Sequence, residues 1–154
     1  MAIVHRPQEA VMERIVVGVD GSEGSVAALR WGVAEAVLRG AVVEAVSAFH
    51  VPYVGAASVM PLMLDPAEFR DAADAVLRKV IEQVDAGALA EPIRTLVVEG
   101  PASTVLVEAG RGASLLVVGA RGHGGLAGML LGSVSRQVTE HATVPVVVVP
   151  KERS

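Results

Sequence analysis

The chain has 154 residues, 52% hydrophobic and 19% charged, a balance that suits one folded domain and excludes disorder. A net charge of −4, with its basic residues scattered, leaves no electrostatic footprint for nucleic acid or anionic lipid. The absence of cysteine excludes disulfides, thiol catalysis and Cys-bound zinc, and no apolar run nears the ~20 residues that span a bilayer.

Residues 1–13 read as a loosely held arm without the apolar core of a secretory signal, and residues 14–151 as a single domain. The first strand is Ile15–Val19, a β-branched run with no alternation. A helix follows, with Val26, Leu29, Val33 and Val37 as its apolar stripe and Gly40 placed to end it. The second strand is Val42–Ala48. His50–Leu64, rich in Pro, Met and small residues, reads as a mobile loop near the sheet edge. Asp65-Pro66-Ala67-Glu68 opens the second helix: Asp as N-cap, Pro in the first turn. Its predicted apolar face is Phe69, Ala73, Val76, Val80 and Val84, with Gly87 as the stop. Ile93–Val98 is the third strand. Pro101 starts a short helix carrying Val105, Leu106 and Ala109, closed by Gly110 and Gly112. Leu115–Val118 is the fourth strand, about Ser133–His141 the fourth helix with Val134 and Val138 inward, and Val146–Val149 the last strand.

Strands that are apolar throughout need helices on both faces. Strict alternation of strand and helix then predicts an α/β fold: an open five-stranded parallel sheet with right-handed crossovers.

Such sheets bind ligands beyond the carboxyl ends of the strands, where the strand order reverses. That picks out Asp20-Gly21-Ser22, after the first strand, and the long loop from Gly119 to Ser133, after the fourth, which face each other if those two strands are neighbours at the reversal. The loop holds Gly119, Gly122, Gly124, Gly125, Gly128 and Gly132, expected to let the backbone approach an anion and adopt positive φ. The helix from Ser133 would aim its free N–H groups at the same crevice. Backbone amides, a helix N-terminus and a hydroxyl make a phosphate site. It is not a Walker P-loop, because the two lysines, Lys79 and Lys151, lie elsewhere. Gly122-His-Gly124-Gly-Leu-Ala127 fits the dinucleotide fingerprint, but that fingerprint belongs in the first strand–helix turn.

Gly119-x2-Gly122-x9-Gly132-Ser133 resembles the glycine pattern of nucleotide-binding universal stress proteins. The opening IVVGVDGSEGSVAALRWGVAEA and the ending HATVPVVVV are similar to that family as well. The resemblance implies a Rossmann-like fold of the adenine nucleotide α-hydrolase type. It also implies an ATP-binding stress-response regulator without strong catalysis. By the same resemblance, Asp20 lies at the adenosine and phosphate end of the pocket, and Ala48 offers backbone groups to adenine. Gly119, Gly122, Gly132 and Ser133 would hold ribose and phosphates, with Arg121 and Val134 beside them. The cofactor implied is ATP or another adenine nucleotide, with any Mg²⁺ held by the phosphates. Alternatives on the same fold are a slow ATP hydrolase and a cyclic-AMP binder. The family commonly has Asp just before the fourth strand, where this chain has Ala113-Ser114.

Each of these residues also has a plainer reading. Asp20 could cap the first helix, Ser133 could cap the last, and the glycines could form a flexible loop. His5, His50, His123 and His141 show no metal-ligand spacing, so no metal site is expected. Trp31 and Phe69 read as packing residues, and Met60 and Met63 as gap fillers. Val146–Val149, uncharged and strongly β-forming, is expected at a sheet edge, where a second copy would pair with it to form a homodimer. A cytoplasmic protein with neither nucleic-acid nor membrane partners is the expectation.

Overall fold

The computed structural model describes residues 12–52, 64–124 and 127–151. In chain order the elements are β1 (Arg14–Gly18), α1 (Glu23–Arg39), β2 (Val42–Phe49), α2 (Pro66–Glu82), β3 (Arg94–Glu99), α3 (Ala102–Ala109), β4 (Leu115–Gly119), α4 (Ser133–His141) and β5 (Val146–Val149). The five strands form one parallel sheet in the order β3-β2-β1-β4-β5. The order reverses between β1 and β4, which meets the condition for the two glycine-bearing loops to face each other.

Two apolar clusters sandwich the sheet. Ile15, Val17, Val43 and Val117 face α1 and α2, with Leu29, Leu77 and Val80 from those helices. Val16, Val46, Leu116 and Val118 face the other side, with Leu106 from α3 and Val138 from α4. Successive strand residues alternate between the two clusters, which is why the strands show no polar alternation.

The helices depart from expectation in instructive ways. The buried face of α1 is a seam of small residues, with Gly24, Ser25, Ala28, Gly32 and Ala36 among its buried positions, while Val37 is exposed. The helix sits so close to the sheet that a Cβ on Gly32 would come within 2.7 Å of Val17 Cγ2. Val26, Leu29 and Val33 of the predicted stripe are buried as expected, and the small residues beside them, which carry no hydrophobic signal, complete the face. In α2, Asp65 caps the helix and Pro66 opens it, as predicted. Leu77 and Val80 are its fully buried residues, the second as predicted, whereas Val76 is exposed, and the helix stops at Glu82 rather than running to Gly87. α3 begins one residue after its N-cap Pro101.

Glu13, the last residue of the expected loose arm, is held: its carbonyl accepts the Val42 N–H at 2.8 Å. The rest of that expectation concerns residues 1–11, outside the described residues. So do 53–63 of the predicted mobile loop, Met60 and Met63 included. Among the described residues, no helix is long and apolar enough to cross a membrane.

Candidate functional site

At the carboxyl ends of β1, β2 and β4 lies a cavity of about 270 Å³. All eight residues singled out from the sequence line it: Asp20, Ala48, Gly119, Arg121, Gly122, Gly132, Ser133 and Val134. The topology brings them together because β1 and β4 are neighbours and β2 flanks β1. Val46, Leu106 and Val118 add an apolar floor.

One wall is β2. The Val46 carbonyl accepts the Val19 N–H at 2.8 Å, so the backbone groups of Val46 point toward β1. Backbone direction alternates along a strand, and the N–H and C=O of Ala48 therefore point the same way. The β1–β2 register ends at Gly18 and Val46, so no β1 residue pairs with Ala48 on that side. Ala48 thus presents one donor and one acceptor to the cavity.

The opposite wall is the start of α4. Its N-cap, Gly132, has no side chain with which to satisfy the first-turn N–H groups. Ser133 and Val134 form that turn beside the cavity. The neck of the β4–α4 loop is fixed at one peptide, where the Ala120 carbonyl accepts both Gly132 N–H and Ser135 Oγ–H at 2.7 Å. Ser133 is not the cap, contrary to its plainer reading. By contrast, α1 is capped: Ser22 Oγ accepts the Ser25 N–H at 3.2 Å.

Asp20 is not the cap of α1 either. Its Oδ1 accepts the Ser22 hydroxyl at 2.5 Å and the Ser22 N–H at 2.9 Å. Its Oδ2 faces the main-chain N–H of His123 at 3.4 Å. The residue is exposed by surface area, yet its carboxylate is crowded by the facing loop. Burial acts to raise its pKa, but the Ser22 hydroxyl and N–H and the charge of His123 outweigh it. The net result is a carboxyl held below the usual aspartate value. Among the described lining residues Asp20 is the one carboxylate and Arg121 the one Lys or Arg. No group of three or more potential metal-ligating side chains was found among the described residues.

The glycines work differently from expectation. Of those in the loop that are described, Gly124 and Gly128 have positive φ, at 79° and 92°, and Gly119, Gly122 and Gly132 do not. A Cβ on Gly119 would meet the backbone of Gly24 at 2.7 Å, and one on Gly122 would collide with Asp20 Oδ2. Gly119 and Gly122 are therefore required by contacts inside the protein. Gly132 is not, since its nearest neighbour would be Arg121 Cα at 3.5 Å, an ordinary contact. Gly125 lies outside the described residues.

Sequence reasoning missed Ser22, Ser135 and Gly24. Asp-Gly-Ser is a turn signature in which the aspartate binds backbone two residues on, so Ser22 was findable. Gly24, in the first turn of a helix where glycine is costly, was a second available signal.

Comparison with known proteins gives a consistent picture. The model of the family described as the universal stress protein family matches residues 12–150. Universal stress protein Rv2624c of Mycobacterium tuberculosis is 36% identical over 143 residues, covering 91% of this chain and 49% of that protein. The chain thus spans about half the length of that relative. Among solved structures, a universal stress protein in complex with cAMP is 28% identical with a TM-score of 0.68, covering 92% of this chain and 98% of that one. Universal stress protein UspA from Lactobacillus plantarum shares the fold with a TM-score of 0.71 at 23% identity, over 89% and 97% of the two chains.

Proposed function

The chain belongs to the universal stress protein family, and we propose that it is an adenine-nucleotide-binding regulator whose ligand occupies the cavity between β2 and α4. The observation that carries this reading is the pairing of two unsatisfied backbone features across one apolar-floored cavity. Ala48 supplies a donor and an acceptor at one wall, and the uncapped start of α4 supplies N–H groups at the other. Adenine offers a ring-nitrogen acceptor beside an amino donor, which complements a backbone N–H and C=O. Guanine presents a carbonyl and a ring N–H there, the reverse polarity. Phosphates suit a helix N-terminus, where the dipole and free N–H groups act together.

ATP is the ligand this reading favours, with Gly119, Gly122, Gly132, Ser133 and Val134 along its ribose and phosphates and Arg121 nearby. Any Mg²⁺ would be held by the phosphates, since Asp20 is the one carboxylate among the described lining residues. That same scarcity favours binding over hydrolysis, because phosphoryl transfer needs groups to hold metal and position water. Cyclic AMP is the second reading, favoured by the relative solved in complex with it.

The reading extends to a cytoplasmic homodimer paired through β5. That strand is an uncharged edge. The other edge, β3, carries Arg94 and Glu99 and is thereby blunted.

Calorimetric titration of nucleotide-stripped protein with ATP, cyclic AMP, AMP and GTP tests the proposal. An adenine nucleotide should bind one per chain, and GTP at least about tenfold more weakly, since reversed hydrogen-bond polarity leaves backbone groups unpaired. No heat from any adenine nucleotide at millimolar concentration would overturn it.

A further inference from the structure

Among the described residues, the loop after β4 is hydrogen-bonded to the loop after β1 through His123 alone. Its ring Nε2 lies 2.9 Å from the Asp20 carbonyl oxygen, and its main-chain N–H faces Asp20 Oδ2 at 3.4 Å. A carbonyl oxygen only accepts, so Nε2 carries the proton and donates. The residues around the pair make room for it. Gly21, directly after Asp20, has φ +86°, and a Cβ there would stand 3.6 Å from His123 Nε2 and 2.7 Å from Val76 Cγ1. Gly122, directly before His123, runs against Asp20 Oδ2 where no Cβ would fit. Gly21 is required by its positive φ and by Val76, and Gly122 by the Asp20 carboxylate, so both loops take the backbone course that brings the imidazole to the turn.

We propose that His123 is a positioning residue for the cavity. By bonding the Asp20 carbonyl it holds residues 121–124 against the end of β1, and so fixes the Asp20 carboxylate and Arg121 relative to each other. This rests on the nucleotide reading above. The other anchors of the segment do not replace it. Ala120 is bonded to Gly132, Ser135 and Val149, which ties the base of the loop to α4 and β5 but not to β1. The Arg121 carbonyl packs against Gly24 at the start of α1, a contact without a side chain on either part. Ser22 holds Asp20 Oδ1 from its own loop. Without the imidazole, the long main-chain contact to Asp20 Oδ2 at 3.4 Å would be left to join the two loops, and the carboxylate and the guanidinium would move more independently. A ligand that touches both would then have to order them on binding, at a cost in affinity.

The test compares the wild type with His123→Ala and His123→Gln, whose side-chain amide can also donate to the Asp20 carbonyl. In nucleotide-free protein, amide hydrogen exchange over residues 121–124 should rise roughly threefold to tenfold in His123→Ala, the worth of about one net hydrogen bond. His123→Gln should stay within about twofold of wild type, and the melting temperature of His123→Ala should fall by no more than about 4 °C, the worth of the same bond. Calorimetry with ATP and with cyclic AMP should show the same order, His123→Ala weakened by a similar factor and His123→Gln largely restored. Unchanged exchange in His123→Ala would overturn the proposal. So would a glutamine variant that behaves like alanine. If the wild type takes up neither nucleotide, the nucleotide reading fails, and the exchange measurement still decides whether His123 joins the walls.

Discussion

Gly119 and Gly24 meet backbone to backbone, so that a Cβ on Gly119 would come within 2.7 Å of the Gly24 carbonyl carbon and oxygen. The end of β4 can approach the start of α1 this closely because Gly119 carries no side chain, and a Cβ on Gly24 would in turn run into the Arg121 carbonyl. A glycine of the nucleotide-site pattern is thus also a packing element of the fold.

The two ends of that pattern should respond differently to the same change. Gly119→Ala should lose about 1–3 kcal/mol in urea unfolding, the usual cost of forcing atoms into a close-packed contact. Gly132→Ala has space for its methyl and should lose less than about 1 kcal/mol, the cost of a poorer N-cap. Its effect should appear instead as weakened ATP binding, because the methyl intrudes beside the first turn of α4. Equal stability losses would contradict this division.

Gly122→Val should fold and fail to bind nucleotide. The reason is a displaced Asp20 carboxylate, since the new side chain would occupy the place of Oδ2. Circular dichroism should match wild type while calorimetry with ATP shows no uptake. Wild-type affinity in the folded variant would show that Asp20 can move without consequence.

Much of this was legible in the chain itself. Β-branched runs without polar alternation imply a sheet covered on both faces, and Asp65-Pro66 marks the start of α2 to the residue. That eight named residues line one cavity follows from strand-end position and glycine spacing together with the family resemblance, which alone pointed to Ala48. The face of α1 was legible in Val26, Leu29 and Val33 but not in Gly24, Ser25, Ala28, Gly32 and Ala36, which are buried by close approach rather than marked by hydrophobicity. Nor was the role of each glycine, since what Gly119 and Gly122 touch is remote in sequence. The register that leaves Ala48 unpaired toward β1 depends on where two strands end, which no local pattern encodes.

The low pKa of Asp20 has a consequence for stability. A carboxyl whose folded pKa lies below its unfolded value, about 3.9, contributes stability that is fully present above that value and lost as pH falls through the folded one. Wild type should therefore lose more stability than Asp20→Asn as pH drops from about 5 toward 3, read by urea unfolding at each pH. Parallel profiles would show that the Ser22 and His123 contacts do not favour the charged form.

Dimerisation through β5 can be tested with an apolar substitution at Val148, which packs on the side of α3 and α4. Val147 and Val149 pack toward α1, so charges there would damage the fold as well as the edge. The carbonyls of Pro145 and Val149 accept from β4, which leaves the backbone of Val146 and Val148 facing outward. Val148→Pro removes an outward N–H and no β4 bond, as proline does on edge strands. It should give a folded monomer in sedimentation; a folded dimer would place the interface elsewhere.

The central claim is that an adenine nucleotide bridges β2 and α4. Amide chemical shifts of ¹⁵N-labelled protein titrated with ATP test it most directly. The account predicts that the N–H signals of Ala48, Ser133 and Val134 move together and saturate with one ligand per chain, while Leu96 on β3 stays in place. Saturable shifts that leave Ala48 and the start of α4 unmoved would contradict it.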